Sequence, residues 1–228
     1  MAGSVLVTGA SRGLGLEFAR QYADEGWRVY ATCRDVTRPG GLAGLKGDIV
    51  VLPLEVTEKR SIDALASAFG SAPLDILIAN AGVLGPRGMT ADNVDRDSWL
   101  ETFAVNAVAP VALVGALKRN LEKAKQKKLV AMSSRMGSIG GNVSGGSYAY
   151  RSSKAALNAA WHSLALDLAA SGFAMAVLHP GWVRTDMGGK DADIEPSESV
   201  AGMRQVIDRL TVADTGRFYN YDGAELPW

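Results

Sequence analysis

The 228-residue sequence is poor in the residues that build metal centres and disulfide frameworks. Cys33 is its single cysteine, and His162 and His179 are its only histidines. One cysteine excludes an internal disulfide and a thiolate cluster. Two histidines without carboxylates at ligand spacing give no zinc motif, so no metal is expected. Net charge is also missing, because 24 Lys and Arg balance 24 Asp and Glu. Bulk electrostatics therefore draws the chain to neither nucleic acid nor an anionic membrane. The basic run KRNLEKAKQKK at 118–128 reads as the solvated C-terminus of a helix, where cations suit the dipole. Long apolar runs are absent as well. The longest, AVNAVAPVALVGAL at 104–117, is too short to span a bilayer and holds Asn106 and Pro110. MAGSVLVTGA has no basic segment ahead of a long apolar stretch, so it is not read as a secretion signal. A soluble cytoplasmic protein is the expectation.

What is present is regular alternation. SVLVT (4–8), WRVYAT (27–32), DIVVLPL (48–54), LDILIA (74–79), KLVAMSS (128–134) and FAMAVLH (173–179) read as strands. They are nearly continuous apolar runs, as expected of strands covered on both faces. Helical patterns lie between them at roughly 13–25, 58–70, 97–125, 150–170 and 197–210. The glycine-rich segment between the second and third strands leaves room only for an abbreviated helix. This order predicts one α/β domain over 1–228, a doubly wound Rossmann fold. The sheet should be mostly parallel, of about seven strands, with helices on both faces.

The first strand runs into TGASRGLG, which places Gly9, Gly13 and Gly15 at the strand-to-helix turn. Ser11, Arg12 and Leu14 fill the same loop. Close approach of backbone to a pyrophosphate at a helix N-terminus requires small residues there. The spacing GxxxGxG is a relative of the dinucleotide fingerprint and not its usual form. At the end of the second strand, Cys33 stands where an acid grips the ribose of NAD, and Arg34 follows. Arg12 and Arg34 suit a 2′-phosphate, so NADP (NADPH) is favoured over NAD. Asp35 is the counter-argument, since an acid facing the ribose would reverse that preference.

The stretch GGSYAYRSSK at 145–154 offers two tyrosines to one lysine. Four residues separate Tyr150 from Lys154, which places both on one helix face; Tyr148 is six away. Tyr148 reads as packing or a wall of the site entrance, and Ser152 and Ser153 as surface or packing hydroxyls.

TGASRGLG, NAG at 80–82, the Asn106 segment, MSS, YRSSK and HPGWVRTDM occur in one order over nearly the whole chain. In this the sequence resembles the short-chain dehydrogenase/reductase family. The segments SSRMGSIGGNVSGGSYAYRSSKAALN, PGWVRTDMGG and FYNYDGAELPW are most similar to its C-factor-like and sniffer-like carbonyl reductases. The resemblance implies an NADP-dependent oxidoreductase that moves hydride between nicotinamide and a small carbonyl or alcohol. Tyr150 would be the general acid/base and Lys154 its electrostatic partner and ribose contact. Ser134 would bind the substrate carbonyl, and Asn106 would help hold a water relay. Alignment from the strand side selects Ser134 over Ser133, because adjacent strand residues point to opposite faces. Asn80, Ala81 and Gly82, with Glu55 and Val56, would border the adenosine half. Pro180, Gly181, Val183 and Thr185 would border the nicotinamide.

Other readings stay open. Asn106 could satisfy local backbone and nothing more, and His179 reads as a hydrogen-bonded structural residue. The C-factor resemblance also allows a signalling or cofactor-binding protein that does not depend on turnover. A lid is expected at about 187–200 and a homodimer or homotetramer through the helices at 97–125 and 150–170. FYNYDGAELPW either closes the pocket or packs at an interface.

Overall fold

In the computed structural model, which describes residues 3–228, the six expected apolar runs become strands and a seventh joins them. They are β1 (Ser4–Val7), β2 (Arg28–Cys33), β3 (Ile49–Pro53), β4 (Ile76–Ala79), β5 (Lys128–Met132), β6 (Ala174–His179) and β7 (Arg217–Asn220). The order across the sheet is β3-β2-β1-β4-β5-β6-β7, and every neighbouring pair is parallel. Every residue of β1 and of β4 is buried, which explains why those runs are apolar without alternation. Strand order reverses between β1 and β4. A crevice therefore opens beyond their C-terminal ends, where ligands bind in such sheets.

Six helices cover the two faces. α1 (Gly13–Asp24) and α6 (Pro196–Arg209) bury Phe18, Tyr22, Met203 and Ile207 against one face. On the other face lie α2 (Lys59–Phe69), α4 (Ala109–Glu122) and α5 (Tyr148–Leu168), led by Leu65, Leu113, Leu117 and Trp161. The connection between β2 and β3 holds only a 3-10 turn, Gly40–Gly44, in keeping with its glycine content.

The helix expected over 97–125 is interrupted. α3 (Arg96–Phe103), capped by the Asp95 carboxylate on the Ser98 N–H at 3.1 Å, passes through one π turn, Ala104–Val108, into α4. Pro110 supplies the reason: it has no N–H for the carbonyl of Asn106, four residues earlier. The π turn absorbs that missing bond. The joined helix Arg96–Glu122 is long and apolar enough to cross a membrane by length and composition. In the fold, Leu113, Leu117 and Leu121 spend that apolar side on the core.

Two expectations are revised at the C-terminal end. Part of FYNYDGAELPW is strand, and the rest doubles back along it. Tyr219 and Glu225 form an antiparallel bridge, and the Leu226 N–H donates to Phe218 O at 2.8 Å. The segment 187–200, expected as a lid, is loop only as far as Glu195, because α6 starts at Pro196 and buries Ser199 and Val200. The remaining loop is stapled by a Val183–Ile194 bridge, and Arg184 bonds both Ala192 O at 2.7 Å and Glu195 at 2.5 Å.

Candidate active site

The crevice is built first by the turn after β1. The Thr8 hydroxyl oxygen accepts the N–H groups of Asn80 and Ala81, both at 3.0 Å, and Asn80 Nδ2 donates to Thr8 O at 2.8 Å. These bonds tie the ends of β1 and β4 together. Gly9 and Gly13 take φ of +66° and +55°, where side chains are strained. A Cβ on Gly15 would lie 2.4 Å from Gly9 O and 2.6 Å from Asn80 Nδ2. Ahead of α1, Arg12 makes no side-chain cap, and no acid occupies the first helical turn. The open N–H groups and positive dipole end are thus left to an anion. A glycine floor at such a helix end fits a pyrophosphate.

From this floor a cleft of about 380 Å³ runs past Glu55, Val56, Asn80, Ala81 and Gly82 to Tyr150, Lys154, Pro180 and Thr185. Ser11, Leu14 and both expected cations, Arg12 and Arg34, line it as well. Asp35 does not. Its carboxylate accepts from Thr37 N at 2.9 Å and Thr37 Oγ1 at 2.6 Å, and pairs with Arg38 at 2.8 Å. The Thr37 hydroxyl and Arg38 hold its pKa below the usual carboxylate value. Glu55 turns in the same manner onto Thr57 N and Oγ1, at 3.2 and 2.9 Å.

Tyr150 and Lys154 stand on α5, and Ser134 follows the end of β5. Tyr150 is half-buried; Ser134 is near enough to hydrogen-bond its phenol. Burial raises the Tyr150 pKa and the nearby Ser134 hydroxyl pulls it back in part. Lys154 Nζ is 5.9 Å from the Tyr150 ring centre, but its hydrogen bond goes to Met132 O at 2.7 Å. Burial lowers the Lys154 pKa to about 8. A lowered tyrosine pKa is therefore not seen in this structure: desolvation outweighs an ammonium that is turned toward a carbonyl.

Asn106 is fully buried and its side chain is spent on structure. Oδ1 accepts from Val83 N at 2.9 Å, while Nδ2 donates to Val83 O at 2.8 Å and Ser153 Oγ at 3.0 Å. Ser153 in turn donates to Tyr150 O at 2.9 Å. This buried chain fixes the Tyr150 turn to the π turn, so Ser153 is an internal link and not a surface hydroxyl. Ser133 is committed to Asn158 Oδ1 at 2.5 Å, whereas Ser134 Oγ accepts only from Met136 N at 3.1 Å. Tyr148 is exposed and stacks on Trp99 with centroids 6.3 Å apart, and Trp99 Nε1 donates to Ser152 at 2.9 Å.

Residues 4–195 match the short chain dehydrogenase family. The chain belongs to that family. Among curated relatives, the C-signal of Myxococcus xanthus is 45% identical over 165 residues, which is 72% of this chain and 99% of that protein. Among solved structures, the carbonyl reductase Sniffer of D. melanogaster matches with a TM-score of 0.93 at 34% identity, over all of both chains. The NADPH-bound carbonyl reductase from chicken fatty liver matches at 0.88 and 37% identity, over 99% of this chain and 98% of that one.

Two of the cofactor residues expected from the short-chain dehydrogenase resemblance do not border the cleft. Val183 is buried in its bridge to Ile194, and a Cβ on Gly181 would strike Ile194 Cδ1 at 2.3 Å. Both shape the turn behind Pro180. Conversely, Val83, Glu101, Val105, Asp186 and Met187 line the cleft and were not foreseen, and of the two serines Ser133 lines it and Ser134 does not. Glu101 and Val105 lie four apart on one continuous helix, a spacing that could have flagged them once one was placed. Among the described residues no cluster of His, Cys, Asp or Glu could hold a metal.

Proposed function

We propose that this short-chain dehydrogenase is an NADPH-dependent reductase of small carbonyl compounds, with Tyr150 as its proton donor. One observation carries the proposal. Half-buried Tyr150 and, one helical turn on, Lys154 both line the cleft, and the Ser134 hydroxyl lies near the phenol. A nicotinamide cofactor, when bound, supplies the hydride. The remaining roles belong to the chain. Backbone at Gly9, Gly13 and Gly15 would hold the pyrophosphate, Arg12 and Arg34 the 2′-phosphate, and Asn80 and Ala81 the adenosine half. Pro180 and Thr185 would border the nicotinamide, and Lys154 would hold its ribose. NADP over NAD is supported by Arg34 lining the cleft while Asp35 is tied to Thr37 and Arg38. The bound NADPH of the chicken carbonyl reductase agrees.

With its pKa raised by burial, Tyr150 keeps its proton near neutral pH. A phenol so poised gives a proton to a developing alkoxide, which suits reduction. Ser134, with an open hydroxyl, steadies the oxygen as charge grows on it. Leu100, Val108 and Leu166 are exposed on the helices expected to pair subunits, which supports a homo-oligomer.

The test follows NADPH absorbance with a panel of aldehydes, ketones and quinones, comparing wild type with Tyr150→Phe. Loss of turnover with cofactor binding retained is expected. Equal turnover by both proteins removes Tyr150 as the acid. The similarity to C-signal favours a second reading, a signalling protein that keeps cofactor binding without depending on turnover. Calorimetric binding of NADPH with no carbonyl reduced would favour it.

A further inference from the structure

The connection from Ser134 to α5 contains five glycines, Gly137, Gly140, Gly141, Gly145 and Gly146, and residues 139–148 are exposed. A segment of that composition does not hold a shape by itself. Yet it begins at the hydroxyl placed beside Tyr150 and ends in the helix that carries Tyr150. Near its start the loop is pressed onto that helix. A Cβ on Gly137 would lie 2.9 Å from the carbonyl carbon of Lys154, and Asn158 Nδ2 reaches Gly137 O at 3.5 Å. Farther out, Arg151 Nη2 bonds Ser144 Oγ at 2.8 Å and its Nε bonds Gly145 O at 3.1 Å.

Between these two anchors the loop is gripped from outside by the tail. Trp228 O accepts the Gly140 N–H at 3.1 Å and the hydroxyl of Ser138 at 3.1 Å. Ser138 is buried, and its oxygen also accepts the Gly141 N–H at 3.0 Å. The Trp228 ring has its own seat. It stacks on Phe218 of β7 with centroids 5.6 Å apart and meets the His162 ring of α5 edge-on at 5.5 Å. His162 is itself held by Gly216 O at 2.8 Å. One residue thus references the loop to β7 and to α5 at once.

We propose that Trp228 is a positioning residue, which holds the loop after Ser134 against α5 so that the Ser134 hydroxyl faces the substrate carbonyl. The proposal rests on the reading of Ser134 and Tyr150 as the reacting groups. Trp228 lies outside the cofactor cleft, so its loss should disturb the carbonyl and not the dinucleotide.

Trp228→Ala, Trp228→Phe and Ser138→Ala are compared with wild type in three measurements: amide exchange over 135–148, NADPH affinity, and kcat/KM for a carbonyl that wild type reduces. Trp228→Ala should speed exchange across the loop and lower kcat/KM roughly 10- to 100-fold, the cost of a small misplacement. Its NADPH affinity should stay within about twofold, so the loss is not uniform binding. Trp228→Phe should recover most of the activity, and Ser138→Ala, which keeps the ring seat, should fall between. Unchanged exchange in Trp228→Ala overturns the proposal, as does faster exchange with unchanged kcat/KM. An equal loss of NADPH affinity overturns it too. If Trp228→Ala does not fold, Ser138→Ala decides by the same criteria. A wild type that reduces none of the carbonyls defeats the reductase reading, and loop exchange then judges alone whether Trp228 holds the loop.

Discussion

Arg12 and Asp186 join the two lips of the cofactor cleft, with Nη1 2.8 Å from Oδ2. Arg12 belongs to the glycine loop and Asp186 to the turn after Thr185, so the pair spans the opening. Both side chains are about three-quarters exposed, at 74% and 75%, which makes the bond weak and sensitive to salt. The same guanidinium is one of two cations available to a 2′-phosphate. Asp186 therefore competes for it. Asp186→Asn should tighten NADPH binding about two- to fivefold at low salt and leave NADH unchanged, the scale of one exposed ion pair. Fluorescence titration of both cofactors reads this directly. Equal tightening for NADH would show that Asp186 acts by some route other than Arg12.

The adjacent serines should separate cleanly. Ser134→Ala removes the hydroxyl beside Tyr150 and should lower kcat by about 10²–10³ with a small change in stability, as expected for an oxyanion donor. Ser133→Ala instead leaves Oδ1 of buried Asn158 without its donor and should cost about 1–3 kcal/mol of folding stability. Turnover by Ser133→Ala, corrected for folded fraction, should remain near wild type. A reversal of the two effects would exchange the roles.

His179 makes a pH prediction. Burial first, and then the positive charge of Arg135, lower its pKa from 6.5 to about 4, and its buried Nδ1 has no partner. The unfolded chain takes up this proton more readily than the folded one. Stability should thus fall as pH drops from about 6.5 to about 4 and level off below. At pH 4.5 the loss from this residue is about 2.5 kcal/mol at about 1.4 per pKa unit. Urea unfolding of wild type and His179→Gln at neutral pH and at pH 4.5 measures it. Parallel losses in the two proteins would remove His179 as a source.

Two glycines should respond in opposite directions. Gly15→Ala forces a methyl into Gly9 O and Asn80, both fixed by the β1–β4 ties. A cost of about 1–3 kcal/mol and loss of NADPH binding are expected from such overpacking. Gly115 lies exposed within α4 with nothing within 4 Å of an added Cβ. Gly115→Ala should stabilise by up to about 1 kcal/mol, the helical advantage of alanine. Thermal melts of both, with cofactor titration of the first, complete the comparison.

The six apolar strands were legible because burial on both faces writes itself into composition, as in β1 and β4. β7 was hidden because four residues, RFYN, with one exposed and one half-buried, carry too little pattern. Helical spacing placed Tyr150 and Lys154 on one face, since periodicity is a property of the chain itself. What surrounds them is not. The raised Tyr150 pKa and the turn of Lys154 toward Met132 O depend on burial set by distant segments. Arg34 and Asp35 illustrate the same boundary. Sequence named both, but only the local bonds to Thr37 and Arg38 decide which one the cleft meets. Pro110 was visible from the start, and its effect on Asn106 follows from counting four residues back.

The return of the chain along β7 also protects the molecule. The rim of an open sheet is a template on which another chain can pair and aggregate. At one rim β3 ends in Pro53, which offers no N–H. At the other, Asn220 N bonds Ala224 O at 2.8 Å and Leu226 N bonds Phe218 O at 2.8 Å, so the outward edge of β7 pairs with its own chain. A surface that would invite a second sheet is closed from within.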